Sequence, residues 1–157
     1  MKPLPYKKLK KVAVILYGQP RFIDINYKSL KEEFSYNGVE FDYFIHFWKD
    51  VSFSPESEKN YRLYDYTEQI KTNCNYLNVK KLMIQDFDIL DEYISNIEKT
   101  LFIIKNQKFH KTKKFTGTTL NSKRYKWGQH LSLLNAYNML EEYEKNNDIQ
   151  YDTIIKA

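Results

Sequence analysis

The stretch Lys11-Val-Ala-Val-Ile-Leu-Tyr-Gly-Gln-Pro-Arg21 decides the fold, because an apolar, β-branched run ends at a glycine and an arginine follows just beyond it. Residues 12–17 predict a buried strand. Gly18 can adopt the positive φ angle that brings backbone N–H groups close to a ligand. Arg21 then offers a planar guanidinium suited to phosphate or carboxylate. The stretch predicts a phosphate-facing turn of an α/β protein; the alternative is a strand-ending turn with a surface arginine.

Length and composition predict one globular domain over residues 1–157, since 42% of the residues are hydrophobic and 29% are charged. The net charge of +5 favours anionic partners, a nucleotide as well as a nucleic acid. The single cysteine, Cys74, excludes an internal disulfide, and no Cys/His spacing resembles a zinc site. The first apolar run is too short for a signal peptide, and nothing approaches the roughly 20 apolar residues of a membrane helix. We therefore expect a soluble cytoplasmic protein without a membrane span.

Strands and helices alternate along the chain. Apolar residues spaced by three and four predict a helix over 23–36, and the run Phe41-Asp-Tyr-Phe-Ile-His-Phe-Trp48 predicts a second strand, followed by a loop over 49–60. The further predicted elements are a helix capped by Thr67, a strand at 79–84, a helix capped by Asp86 or Asp88, a long helix beginning at Tyr125 or Trp127, and a strand at 151–157.

This alternation predicts an α/β fold with a Rossmann-like, mostly parallel sheet and helices on both faces. Ligands of such sheets bind at the carboxyl ends of the strands, here 17–21, 46–49 and 85–86. The composition of the fourth strand is typical of a strand inside a sheet, and that strand is still running at Ala157. We therefore expect a chain truncated at its C-terminus, with part of any active site beyond it.

The segment 105–124 is strongly basic, with seven Lys and Arg residues and no acidic residue. This predicts a flexible loop between the third and fourth strands. Two roles are open: a solvated connection, or contact with a phosphate-bearing donor or acceptor, in which case the loop could close over the ligand crevice.

Two common nucleotide sites are excluded by the turn after the first strand. Gly18-Gln-Pro-Arg21 lacks the spaced lysine of a P-loop and the three glycines of a dinucleotide fingerprint. Kinase-like and NAD-dependent activities are therefore not expected.

Four segments together resemble GT-A-type glycosyltransferases, in particular a group common in large viruses, phages and bacteria. The segments are Val-Ala-Val-Ile-Leu-Tyr-Gly-Gln-Pro-Arg21, Phe41-Asp-Tyr-Phe-Ile-His-Phe-Trp48, Trp127-Gly-Gln-His-Leu-Ser132 and Tyr151-Asp-Thr-Ile-Ile-Lys-Ala157. The resemblance spans nearly the whole chain. It implies a GT-A-like fold that transfers a sugar from a nucleotide diphosphate sugar to a hydroxyl acceptor, in the host cytoplasm if the protein is viral.

The resemblance also implies a divalent metal, Mn²⁺ or Mg²⁺, held by an Asp-x-Asp motif. That motif would begin about where this sequence ends, so its ligands are not visible in the chain. No catalytic residue can be named either. The nucleotide-binding residues that the resemblance implies are Tyr17, Gly18, Gln19, Arg21, His46, Trp48, Trp127 and Gln129.

Several of these residues have a structural alternative. His46 and Trp48 share one side of their strand and can stack on or hydrogen-bond a base; alternatively, Trp48 belongs to the core and His46 is a satisfied polar contact. Trp127 and Gln129 are expected in the first helical turn, where unpaired N–H groups favour an anion. The alternative there is a helix entry fixed by a buried tryptophan, with Gly128 permitting close packing.

Two aspartates also have two possible roles each. Asp42 is a structural cap or a ligand, and Asp152 is a turn residue or a metal ligand. For the chain as a whole, the competing hypothesis is a non-catalytic α/β module that binds a nucleotide or a nucleic acid, with nucleic acid the less expected partner.

Overall fold

The structure is a computed structural model that describes residues 10–20, 29, 31–32, 39–52, 63–108 and 120–157. Its elements in chain order are β1 (Lys10–Gly18), β2 (Val39–Trp48), β3 (Asp50–Ser52), β4 (Leu63–Asp65), α1 (Thr67–Cys74), β5 (Val79–Gln85), α2 (Phe87–Lys108), α3 (Leu120–Asn147) and β6 (Thr153–Lys156). Most of the helix predicted over 23–36 lies outside the described residues, and the three described residues within it, Ser29, Lys31 and Glu32, are helical.

The main sheet has four parallel strands in the order β5-β2-β1-β6. The predicted α/β fold with a parallel sheet is therefore confirmed. In chain order these are the third, second, first and fourth strands of the sheet, which is the order of a Rossmann-like, doubly wound sheet. The order reverses beside β1, which lies between β2 and β6.

Both faces of the central strands are buried, and this explains their nearly continuous apolar sequences. On one face, side chains of β1 and β2 pack with Ile70 and Cys74 of α1. On the other face, Ala13, Ile15 and Phe44 pack against α3. The residues that α3 contributes to this second cluster are Ala136, Met139 and Leu140, with Leu133 and Tyr143 beside them.

A bulge interrupts the pairing of β2 with β5. Tyr43 pairs with Val79 and Phe44 pairs with Lys81, so Lys80 is the extra residue on β5. Its ammonium nitrogen lies 3.4 Å from Oδ1 of Asp42. Bulges of this kind bend a strand and change the direction of its side chains. After the bulge the register is regular, and Gln85 pairs with Trp48.

The helices on either side of the basic segment are longer than predicted. α2 continues to Lys108 and α3 begins at Leu120, so the predicted loop over 105–124 is helical at both ends, and its middle, 109–119, lies outside the described residues. The predicted helix start at Tyr125 or Trp127 was wrong. Residues 120–126 are mostly polar and carry no apolar periodicity, which is the signal that the prediction used.

Two smaller predictions also need correction. The predicted loop over 49–60 contains β3, which pairs antiparallel with β4. Thr67 is not the cap of α1, because Tyr66 occupies the cap position and Thr67 is the first residue of the helix. The N–H of Thr67 donates to Oδ1 of Asp65 at 2.9 Å. β6 pairs with β1 and is the outer strand of the sheet among the described residues, so the expectation that it lies inside a larger sheet stays a prediction.

Candidate functional site

All four parallel strands end at one edge of the sheet, which brings together Gly18, Trp48, Gln85 and Lys156 as their last residues. In doubly wound sheets, ligands bind at this carboxyl edge, in the crevice where the strand order reverses. Here the reversal lies between β1 and β6. The turn that follows β1 is therefore at the position where a ligand is expected.

Gly18 ends β1 in the left-handed region, with a φ of +103°. The predicted positive φ is thus confirmed. A Cβ added to Gly18 would meet nothing within 4 Å, so the backbone angle, and not close packing, requires glycine here. The N–H of Gly18 donates to Oγ of Ser132 at 2.7 Å, so this donor is used inside the protein. We call Gly18 with Gln19 and Pro20 the Gly18 corner.

A buried polar network lies directly beneath the Gly18 corner. His46, which is fully buried, places its Nδ1 2.6 Å from Oγ of Ser132 and its Nε2 2.6 Å from Oε1 of Gln85. Asn135 Nδ2 lies 3.2 Å from the same Nε2 and donates to Oε1 of Gln85 at 3.1 Å. The hydroxyl of Ser132 donates to the backbone oxygen of His46 at 2.8 Å. This network joins the ends of β1, β2 and β5 to the middle of α3.

Burial lowers the pKa of His46 below its ordinary value, and the hydrogen bonds of its ring and backbone oppose this only partly. The imidazole is therefore neutral at pH 7. Both ring nitrogens of His46 lie within hydrogen-bonding distance of partners on β5 and α3. The imidazole therefore connects β2 to these two elements and is held in one position. It has no free nitrogen for proton transfer to a ligand.

Trp48 is also an interior residue. It is 1% exposed, its ring lies 4.9 Å from that of His46, and its indole N–H donates to the carbonyl oxygen of Gly128 at 3.1 Å. The burial of His46 and Trp48 favours the structural alternative, in which both support the edge of the sheet from below, over direct contact with a nucleotide base.

Trp127 and Gln129 are not in a first helical turn. α3 begins at Leu120, so both lie about two turns inside the helix, where N–H groups are paired and the helix dipole has little effect. Trp127 is half-buried and packs against the cluster that contains Trp48, whereas Gln129 is exposed. A Cβ on Gly128 would lie 3.1 Å from Cδ2 of Leu90, which supports the alternative that Gly128 permits close packing.

Two of the remaining predicted residues lie at the corner or next to it. Tyr17 and Gln19 are half-buried, and Tyr17 packs beside the cluster of Ala13 and Ile15. Arg21 lies outside the described residues. Its role at this edge of the sheet stays a prediction.

An ion pair at the same edge was not predicted. Nζ of Lys49 lies 2.6 Å from Oδ1 of Asp86, and both side chains are partly exposed. Each residue directly follows a strand, β2 or β5, and Lys49 also donates its backbone N–H to the carbonyl of Gln85. The sequence does place opposite charges, Lys49 and Asp86, directly after two strands. The ion pair could not be predicted from this, because the sequence did not show that the two strands are neighbours in the sheet.

The two aspartates considered as ligands belong to the opposite, amino edge. Asp42 is 3% exposed; its Oδ2 accepts from the hydroxyl of Tyr151 at 2.7 Å and its Oδ1 accepts from Nδ2 of Asn78 at 2.5 Å. Asp152 exchanges two hydrogen bonds with the backbone of Lys11 at 3.0 and 2.9 Å. These contacts fit structural roles for both residues, far from the carboxyl edge.

Ser132 and Asn135 were not predicted as site residues, and Gln85 was predicted only as part of the strand end at 85–86 and not as a partner of His46. One signal could have indicated Ser132: Gly128, Ser132 and Ala136 follow one another at four-residue spacing, so small side chains line one stripe of α3. Such a stripe lets a helix approach a sheet closely. Gln85 and Asn135 carry no comparable signal, because their partners are far away in sequence.

The described part of the chain contains no group of three or more His, Cys, Asp or Glu side chains that could hold a metal ion. In the same part, no helix is both long and apolar enough to cross a membrane. Comparison of the chain with protein-family models, with curated proteins and with solved structures finds no match.

Proposed function

We propose that this chain is a glycosyltransferase, or the nucleotide-sugar-binding part of one, that moves a sugar from a nucleotide diphosphate sugar to a hydroxyl acceptor. The observation that carries the proposal is the position of the Gly18 corner. It lies at the carboxyl edge of a parallel sheet of order β5-β2-β1-β6, beside the point where that order reverses.

This position and the residues beside it favour a ligand that carries phosphate. A turn at the reversal point brings backbone close to a ligand, and Arg21, three residues after Gly18, supplies a guanidinium that suits a diphosphate. The net charge of +5 favours an anionic ligand in addition. The sugar and the transfer reaction come from the resemblance of the four sequence segments to GT-A-type glycosyltransferases.

In this proposal, Tyr17, Gln19 and Arg21 border the nucleotide, while His46 and Trp48 support the edge from the interior. The resemblance leads us to expect Mn²⁺ or Mg²⁺ in addition. The described residues do not form a site for such an ion, so no step is assigned to it.

Isothermal titration calorimetry with UDP, GDP and their sugar conjugates, with and without Mn²⁺, tests the proposal. Replacing Arg21 by alanine should weaken nucleotide binding about ten-fold or more, since a hydrogen bond to a charged group contributes about 1.5–3 kcal/mol. Lys145→Ala is the matched control. Lys145 is exposed in the last turn of α3, next to the amino edge of the sheet, so its loss removes one positive charge away from the proposed crevice.

Three outcomes oppose the proposal. Unchanged affinity in the Arg21 variant removes this residue from the site. No binding of any nucleotide by the wild-type chain removes the nucleotide site. Binding of single-stranded nucleic acid with an affinity that falls steeply with salt supports the competing hypothesis of a nucleic-acid-binding module, because many phosphate contacts release counterions.

A further inference from the structure

We propose that Ser132 is a positioning residue for the Gly18 corner. Its hydroxyl, held by His46, fixes the last peptide of β1 and so sets the direction in which the chain leaves the sheet toward Gln19 and Pro20. The expected effect on ligand binding rests on the proposed nucleotide site, whereas the effect on the corner itself does not.

Ser132 is in direct contact with the last residue of β1, Gly18. Gly18 is buried, and its N–H donates to Oγ of Ser132 at 2.7 Å across 114 residues of sequence. Glycine has no side chain that could restrict its own backbone, and its φ of +103° lies in a region that other residues rarely adopt. A hydrogen bond from a separate element is therefore well placed to hold this peptide in one orientation.

The side chain of Ser132 is itself held in one orientation. Its side chain is fully buried, and its Oγ contacts His46 twice, at 2.6 Å from Nδ1 and 2.8 Å from the backbone oxygen. The imidazole is in turn held on its other side by Gln85 and Asn135. The orientation of the corner is thus tied to β2, β5 and α3 together.

Loss of the hydroxyl therefore has a local consequence. In a Ser132→Ala variant, the N–H of Gly18 and both Nδ1 and the carbonyl oxygen of His46 lose a buried partner, while the pairing of β1 with β2 and β6 remains. The corner becomes free to reorient although the sheet stays intact. Residues that border the ligand then lose their fixed geometry, which reduces affinity without removing any of them.

Amide hydrogen exchange followed by NMR tests the corner directly. In Ser132→Ala, the amide of Gly18 should exchange at least about ten-fold faster relative to the amides of Val14 and Leu16, because its acceptor is gone. Met139→Val is the control: Met139 is buried on the same helix and packs against the sheet, so this change lowers global stability without touching Ser132. Its Gly18 exchange should rise only as much as that of Val14 and Leu16.

Calorimetry on the same variants tests the ligand site. Nucleotide affinity should fall about five- to ten-fold in Ser132→Ala, the effect of one typical buried hydrogen bond, and stay near the wild-type value in Met139→Val. If Ser132→Ala does not fold, Ser132→Cys fills the place of the hydroxyl with a somewhat larger sulfur atom that is only a weak acceptor, and it gives the same comparison.

Two results overturn the inference: a Gly18 amide that stays as protected as its neighbours without the serine hydroxyl, or a loosened corner with undiminished nucleotide affinity. A wild-type chain that binds no nucleotide overturns the proposed function instead. The exchange rate of Gly18 then decides by itself whether Ser132 fixes the corner.

Discussion

Trp48 and Gly128 are in direct contact: the indole N–H donates to the glycine carbonyl at 3.1 Å, and a Cβ on Gly128 would lie 3.3 Å from that same indole nitrogen. The same Cβ would lie 3.1 Å from Cδ2 of Leu90. Both neighbours are essentially unexposed, at 1% and 0%. The approach of α3 to the end of β2 therefore depends on the missing side chain.

Gly128→Ala should lower the free energy of unfolding by about 1 kcal/mol. Overpacking in a tight core costs about 1–3 kcal/mol, which exceeds the gain of up to about 1 kcal/mol from helix propensity. Urea denaturation measures the difference. Asn138→Ala, at an exposed position of the same helix, is the control and should be neutral or stabilising. A Gly128 variant as stable as this control would contradict the close packing.

Gly18→Ala should destabilise the protein by about 1–2 kcal/mol, because a side chain is strained at positive φ. No steric clash adds to this cost, since the space around the Cβ position is open. Gly18→Asn should lose less, because asparagine tolerates positive φ better than alanine does. Thermal unfolding of both variants gives the comparison, and equal losses would argue against a backbone origin.

Tyr151→Phe should cost about 1.5–3 kcal/mol, since it removes a hydrogen bond to the buried carboxylate of Asp42. Tyr137→Phe removes a hydroxyl from an exposed side chain of α3 and should change stability little. Chemical denaturation of the two variants measures this contrast. A similar stability of both would show that Asn78 and Lys80 suffice to satisfy Asp42.

Stability should fall as the pH drops below about 6.5, because the pKa of His46 is lower in the folded protein than in the unfolded chain. In that range the unfolded chain binds the additional proton, which favours unfolding by up to about 1.4 kcal/mol for each pH unit. Above the pKa that His46 has in the unfolded chain, the folded protein keeps the full stability that the neutral imidazole gives it. This stabilisation is lost as the pH falls toward the lower pKa of His46 in the folded protein.

Urea midpoints between pH 5 and 8 test this dependence. His46→Gln should flatten the profile, whereas His130→Gln, at an exposed position of α3, should leave it unchanged. The same slope in all three proteins would assign the effect to other groups.

Cys74 should react slowly with thiol reagents in the native protein. It is buried, and burial raises the pKa of its thiol to about 11, so little thiolate is present at pH 8. Labelling with a coloured disulfide reagent should become fast only in denaturant. Rapid labelling without denaturant would mean that α1 detaches readily from the sheet.

The sequence was sufficient for the elements that carry apolar periodicity. The alternation of 12–17 and 41–48 with helical segments predicted the parallel sheet, because strands covered on both faces need apolar residues throughout. The start of α3 could not be predicted in the same way, since residues 120–126 are helical without an apolar pattern. Trp127, the first apolar marker of the helix, therefore appeared to be its beginning.

The candidate site was predictable only in its backbone. The positive φ of Gly18 follows from the glycine after a strand. The partnership of His46 with Ser132 does not, because 86 residues separate them and a serine on a helix has no preferred distant partner. Period-two alternation correctly placed His46 and Trp48 on one side of β2. Their burial, however, depends on how closely α3 approaches the sheet. Small residues on α3 permit a close approach, but the sequence alone does not determine the distance.

Lys80 is an insertion that the sheet accommodates, because Val79 and Lys81 lie opposite the consecutive residues Tyr43 and Phe44 of β2. Deleting Lys80 would therefore leave Lys81 to Gln85 opposite the same residues of β2 and on the same faces of the sheet. The loss would fall on the ion pair with Asp42 at the amino edge instead. A strand shortened by this one residue is consequently compatible with the contacts of Gln85 around His46.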